Sequence, residues 1–288
     1  MSDHEKSNSA PAGFKSLGAN YQPPSLEEIQ ALLPRDEVLE FIGHGGMGTY
    51  YRAVQSRLDR EVAVKVLLVD AQEDASLIDG FKSEAKAMAR LNHFNIIKIF
   101  DFGVADSKLY LIVEYVKGKT LEQLVARRGF GIREVVSLLG QVCDALEHAH
   151  GMGVIHRDLR LGNTMVDEEG VVKVGDFGLA RLIGEELFRH NLVGENQDMG
   201  TLDYVAPEQH GEGGDIDLRA DIFSLGAMLY KLSTRTLPYD EYVPPSHFVP
   251  DINPLVDQIV LRCMQRRPEN RFQSIAEFRD MLLQLHPR

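Results

Sequence analysis

The strongest constraint on this chain is a change in hydrophobic period between Tyr115 and Gly118. Before it, apolar residues come in short, β-branched, alternating runs. After it, they recur every three or four positions. Val38, Leu39, Phe41 and Ile42 lead into a glycine cluster, followed by Tyr50-Tyr51-Arg52-Ala53-Val54 and by Glu61 to Leu67, all with strand character. One helix interrupts this region, with Leu77, Phe81, Glu84 and Met88 on a single stripe, and two more strands are expected at Ile96–Phe100 and Leu109–Glu114. Beyond Gly118 helices are expected over 134–149, 220–232, 255–265 and 274–285. A strand-rich part followed by a helix-rich part predicts an α+β fold of two lobes: a small antiparallel sheet with one main helix, then a larger, mostly helical body.

The boundaries follow from composition. Residues 1–24 carry Ser, Asn, Gly and Pro without sustained period and read as an arm. Residues 25–37 form an N-terminal extension, in which Ser25 with Glu28 three positions on predicts a capped helix ended by Pro34. The first lobe then spans 38–115 and the second 116–288. A formal charge of -12 opposes broad attraction to nucleic acid or anionic membrane, so neither is expected as a partner. No apolar run reaches the length of a membrane span and the first residues lack a secretory pattern, which makes cytoplasmic the expected location. Cys143 and Cys263 both stand in apolar helical patterns and read as buried thiols.

Gly43-His44-Gly45-Gly46-Met47-Gly48 lies between two strand candidates. Glycines at this spacing serve any tight hairpin, a dinucleotide site or a lid whose backbone approaches phosphate. The dinucleotide reading needs a following helix, whereas Thr49 to Val54 is strand-like. Lys65 shares a strand face with Ala63, and an acid at Glu84 on an otherwise apolar stripe is explained if it faces that ammonium. Downstream, Asp158 and Asn163 stand five residues apart after Val154-Ile155, and Asp176 ends a strand beside Phe177-Gly178. Asp176 and Asn163 offer oxygen ligands to Mg2+, and Asp158 remains to receive or orient a hydroxyl proton. The ordered combination is far more specific than any of its parts.

These residues resemble the eukaryotic-like serine/threonine protein kinases of bacteria, over about residues 36 to 285. The markers are Gly43 to Gly48, Ala63-Val64-Lys65, Glu84, Val113-Glu114-Tyr115, His156-Arg157-Asp158, Asn163, Asp176-Phe177-Gly178, Gly200-Thr201, Ala206-Pro207-Glu208, Asp221 and Arg271. The resemblance implies transfer of the γ-phosphoryl group of ATP to a protein Ser or Thr hydroxyl, including autophosphorylation. Mg2+ is the implied metal, with Mn2+ as a substitute. It implies ATP between the lobes, under a lid of Gly43, Gly45 and Gly48, with Tyr50, Ala63, Val113, Glu114, Val116 and Met165 around the base. Lys65, held by Glu84, would contact phosphates; Asp176 and Asn163 would hold metal; Asp158 and Arg160 would serve the transfer. Met88, Ile99, Phe177 and His156 look like the stack that assembles the active form. Glu208 would pair with Arg271, and Asp221 would brace the catalytic loop.

Three departures from that family stand out. Tyr50 replaces a small β-branched residue that covers adenine; it would stack, swing outward or block the pocket, and weakened or conformation-dependent ATP affinity is expected. Arg160 replaces the usual lysine and Leu161-Gly162 the usual proline and its neighbour, so slower transfer is expected. No Ser, Thr or Tyr lies between Leu179 and Gly200, which predicts activation without phosphorylation there, through fixed acids, a protein partner or homodimerisation. The other reading is a pseudokinase, a nucleotide-binding scaffold signalling through protein partners.

Overall fold

The computed structural model describes residues 22–45, 47–67, 75–106, 108–179, 203–209, 216–237 and 243–285. The first helix, α1 (Leu26–Leu32), begins where Ser25 accepts from the Glu28 amide and Glu28 in turn accepts from the Ser25 amide, the reciprocal cap expected from sequence. Five antiparallel strands follow: β1 (Glu37–Gly45), β2 (Gly48–Gln55), β3 (Arg60–Leu67), β4 (Ile99–Ala105) and β5 (Lys108–Glu114), in the order β1-β2-β3-β5-β4. The helix α2 (Ala75–Met88) connects β3 to the β4 side.

Alternation along β3 puts each face of the sheet to use. Val62, Val64 and Val66 join Ile29, Leu32, Leu33, Tyr51 and Ile112 in one core beneath α1. Leu67, Leu109 and Leu111 pack on the other face with Phe81, Ala85 and Met88 of α2. The Tyr51 hydroxyl donates to the Pro24 carbonyl at 2.6 Å, fastening the extension to the sheet.

Sequence and structure differ at the start of β4. The strand begins at Ile99 rather than Ile96, because Ile96 pairs in parallel with Val174 of the second lobe. Asn95 explains the diversion. Its side-chain amide donates to Val172 O at 2.8 Å and Gln141 Oε1 at 3.0 Å, and its carbonyl accepts from the Val174 amide at 2.8 Å.

The second lobe opens with a three-stranded sheet of β6 (Gly118–Thr120), β7 (Thr164–Asp167) and β8 (Val172–Val174), in that order. Among the described residues its α-helices are α3 (Leu121–Arg127), α4 (Ile132–Gly151), α5 (Arg219–Thr234), α6 (Pro245–Phe248), α7 (Pro254–Cys263) and α8 (Ile275–Leu283). Helix α5 is buried continuously from Ala220 to Tyr230, as its nearly unbroken apolar sequence requires. Gly226 is the close-approach point of that helix: a Cβ there would overlap the Cβ of Cys263 on α7. Cys143 and Cys263 are both free and buried, and burial pushes the Cys143 thiol up to about 12.

Candidate active site

The glycine-rich hairpin joins β1 to β2, with Gly43 opposite Tyr50 and Gly45 opposite Gly48. Gly46 lies outside the described residues. Gly48 has a steric reason to be glycine, since a Cβ would stand 2.5 Å from the Val66 carbonyl oxygen of β3. Paired positions of an antiparallel ladder share a face, so Tyr50 of β2 and Lys65 of β3, which are register partners, both point into the cleft. Ala63 and Val113 are partners in the same way, farther along β3 and β5. Val116 is buried just beyond β5, and Met165 lies on β7 opposite Thr120. The Glu114 amide donates to Lys98 O at 2.8 Å, and its carboxylate pairs with Lys173 at 2.7 Å. Tyr50, Ala63 and Val113 thus stand on the sheet of the first lobe, and Met165 on that of the second.

Lys65 is only 1% exposed and its Nζ lies 2.7 Å from Asp176 Oδ1. The Tyr50 hydroxyl donates to the other oxygen, Oδ2, at 2.9 Å, and the Lys65 ammonium sits 5.0 Å from the Tyr50 ring centroid. Burial, reinforced by the Asp176 charge, pushes the Tyr50 phenol well above its ordinary value, so the hydroxyl is protonated and acts as donor. For Asp176 burial acts upward, but Lys65 and Tyr50 outweigh it and hold the carboxyl low. Tyr50 thus does not swing outward: its hydroxyl is directed at the Asp176 carboxylate.

The sequence leads to Glu84 as the acid facing Lys65, and in this structure the Lys65 ammonium bonds Asp176. Lys65 closes on Asp176, whose carboxylate demands a nearby cation in a buried setting. Glu84 Oε1 also stands 2.8 Å from where a Cβ of Gly178 would be. The expected stack of four also divides. Phe177 packs on the His156 ring at 4.5 Å within the second-lobe core, whereas Met88 and Ile99 belong to the first-lobe core. The residue that joins Met88 there is Leu179, together with Met47 from the lid. Asp176 and Gly178 both adopt positive φ, 62° and 66°, and this turn carries Leu179 toward α2.

The catalytic loop is tightly braced. Asn163 Nδ2 donates to both the carbonyl and Oδ2 of Asp158, each at 2.8 Å, which leaves its own carbonyl oxygen as the atom suited to a hard cation. Burial raises the Asp158 pKa, against the lowering influence of Arg160, His156 and Asn163. Arg160 reaches Asp158 at 3.7 Å, and its buried Nε has no hydrogen-bond partner. Gly162 makes room for that larger head group: its missing Cβ would lie 3.3 Å from an Arg160 terminal nitrogen.

Asp221 braces the loop from below, accepting the amides of His156 and Arg157 at 2.9 Å each while His150 Nε2 lies 2.8 Å away. Arg157 itself has φ of 66°, a strained value that these contacts hold. Glu208 and Arg271 form the expected pair, bidentate at 2.6 and 2.7 Å. Gln209 adds a bond from its side-chain amide to Arg157 O at 2.8 Å. Sequence reasoning missed His150, which has no motif of its own. Gly200, Thr201 and the hydroxyl-free stretch before them lie outside the described residues.

The family described as "Protein kinase domain" matches residues 37–288. A probable serine/threonine-protein kinase of Clostridium acetobutylicum is 36% identical over 263 residues, covering 86% of this chain and 39% of that protein. The serine/threonine-protein kinase PknB of Mycolicibacterium smegmatis is 35% identical over 276 residues, covering 89% and 44%. The chain thus spans about two-fifths of the length of these curated relatives. Among solved structures, a double-mutant form of the PknI kinase domain of Mycobacterium tuberculosis superposes with a TM-score of 0.73 at 28% identity, over 87% of this chain and 96% of that one.

Proposed function

The chain belongs to the protein kinase family as a bacterial-type serine/threonine kinase catalytic domain, and on that premise we propose how its own residues divide the work. The domain chemistry is ATP-dependent phosphoryl transfer to a Ser or Thr hydroxyl, with Mg2+ supplying charge neutralisation at the phosphates. Asp158 orients the acceptor hydroxyl and takes its proton, a role aided by the upward shift that burial gives its carboxyl. Asn163 and Asp176 provide the hard oxygen donors for the metal; Mn2+ would fit the same set. Lys65 turns from Asp176 to phosphate oxygens, with Glu84 as the acid that holds it there. Arg160 keeps a cation at the transfer site, in a bulkier form than lysine. Gly43, Gly45 and Gly48 form the lid, and Ala63, Val113, Glu114, Val116 and Met165 the base-binding wall.

The observation that carries this reading is the catalytic loop. Asp158 is buried and tied by Asn163, while Asp221 fixes the backbone on which it stands. That preorganisation suits an acceptor hydroxyl at Asp158.

We further propose Ser/Thr-containing protein substrates for the whole protein, with a protein activator or a second copy of the chain as the activating partner. Among the described residues no helix is long and apolar enough to cross a membrane. The test is intact-mass measurement of phosphate incorporation with Mg-ATP and a generic basic acceptor protein. Asp158→Asn and Lys65→Met are each expected to lose at least about a hundredfold in rate. Mg-ATP binding without phosphate incorporation in the parent would replace this reading with the scaffold one.

A further inference from the structure

The two oxygens of Asp176 are both engaged by this chain: Oδ1 by the Lys65 ammonium at 2.7 Å, Oδ2 by the Tyr50 hydroxyl at 2.9 Å. We propose that Tyr50 is a gate on the metal ion: its hydroxyl competes with Mg2+ for Asp176, so that Mg-nucleotide enters only as the tyrosine is displaced. The inference rests on Asp176 being the metal ligand, as read above.

Three observations support a gate over a ring that merely fills space. The contact is made by the hydroxyl and is directed at one carboxylate oxygen, while the ring stays 3.8 Å from the position of a Gly45 Cβ, underneath the lid. Tyr50 and Lys65 are register partners on adjacent strands, so their two groups converge on Asp176 from one rigid sheet. The ring also lies beside the ammonium, 5.0 Å from Nζ, so the three side chains form one cluster that metal entry must open. Lys65 has a second role to move to, at the phosphates. The Tyr50 hydroxyl has none, and its whole effect is to favour the arrangement without metal.

The lid tip supports the same conclusion from the other side. Met47 and Leu179 share a core with Phe81, Ala85 and Met88, so the hairpin that carries Tyr50 is packed down on the turn that carries Asp176. Hydroxyl latch and apolar packing act on the same two elements.

A hydrogen bond to a charged acceptor is lost when Mg2+ takes that oxygen, and only the hydroxyl contributes it. Tyr50→Phe keeps the ring and removes the latch. Calorimetric titration of the whole chain with ADP in Mg2+ is expected to show roughly five- to tenfold tighter binding in Tyr50→Phe than in the parent. In EDTA the two should bind ADP alike. Thermal unfolding gives an independent sign: Tyr50→Phe melts lower than the parent in EDTA without nucleotide, yet gains more from Mg-ADP. A residue that only stabilised the fold would lower the first value and leave the second gain unchanged. Equal Mg-ADP affinities overturn the gate and leave the kinase reading standing. An equal gain in Mg2+ and EDTA also overturns it, since the obstacle would then be to nucleotide rather than metal. Failure of parent, Tyr50→Phe and Tyr50→Val to bind Mg-ADP at all would overturn both.

Discussion

A carboxylate with no exposure to water needs its charge answered by neighbours, and Asp221 has three such neighbours in the His156 and Arg157 amides and the His150 ring. Burial pushes its pKa upward, but His150 and the backbone donors outweigh it and the folded carboxyl titrates below its ordinary range. A group of that sign contributes stability above its unfolded pKa of about 3.9 and loses it as pH falls through the folded value. Asp221→Asn is therefore expected to cost about 3 kcal/mol near neutral pH, and the cost should shrink below about pH 4. Urea unfolding of parent and variant across pH checks this, and a difference that stays constant into acid would count against it. The variant should also slow phosphoryl transfer, since the two amides position Asp158 through Arg157.

At the scale of elements, the pair between Glu208 and Arg271 ties the short turn at Pro207–Gln209 to the approach to α8. The Arg271 side chain has no solvent exposure, and it also donates to Gln265 O and Arg219 O. Arg271→Lys is expected to lose about 3 kcal/mol, because an ammonium cannot reproduce the planar double contact. Removing both charges as Arg271→Met with Glu208→Leu should recover part of that loss, read by chemical unfolding.

Much of this element layout is legible in sequence, for local reasons. The α1 cap needs only Ser25 and Glu28, and α5 needs only its apolar run. Helix α3 carries the same kind of signal at Thr120 and Gln123 and still escapes a period-based reading, because seven residues are too few to show a stripe. The start of β4 was misplaced because Asn95 is held by Gln141 and Val172, far away in the chain. The site divides likewise. Its residue identities follow from ordered motifs, whereas the partner of Lys65 and the direction of Tyr50 depend on contacts across 111 and 126 residues.

For the whole molecule, Asn95 is the point where the first lobe is stitched to the second. Its side chain bonds Gln141 and Val172, and its carbonyl receives the Val174 amide. Asn95→Ala should destabilise the protein by about 1–3 kcal/mol, by taking the side-chain donor from the buried Val172 carbonyl and one of its donors from Gln141 Oε1. Hydrogen exchange should rise first in β8 and the segment before β4, and protection unchanged there would refute the stitch. Leu179 makes the opposite kind of connection. It follows a turn of the second lobe but completes the apolar core of the first. Lifting it out exposes hydrocarbon to water, so opening carries a positive heat-capacity change and the clamp weakens on cooling. The contribution of this one contact between the lobes is therefore expected to weaken as the temperature falls.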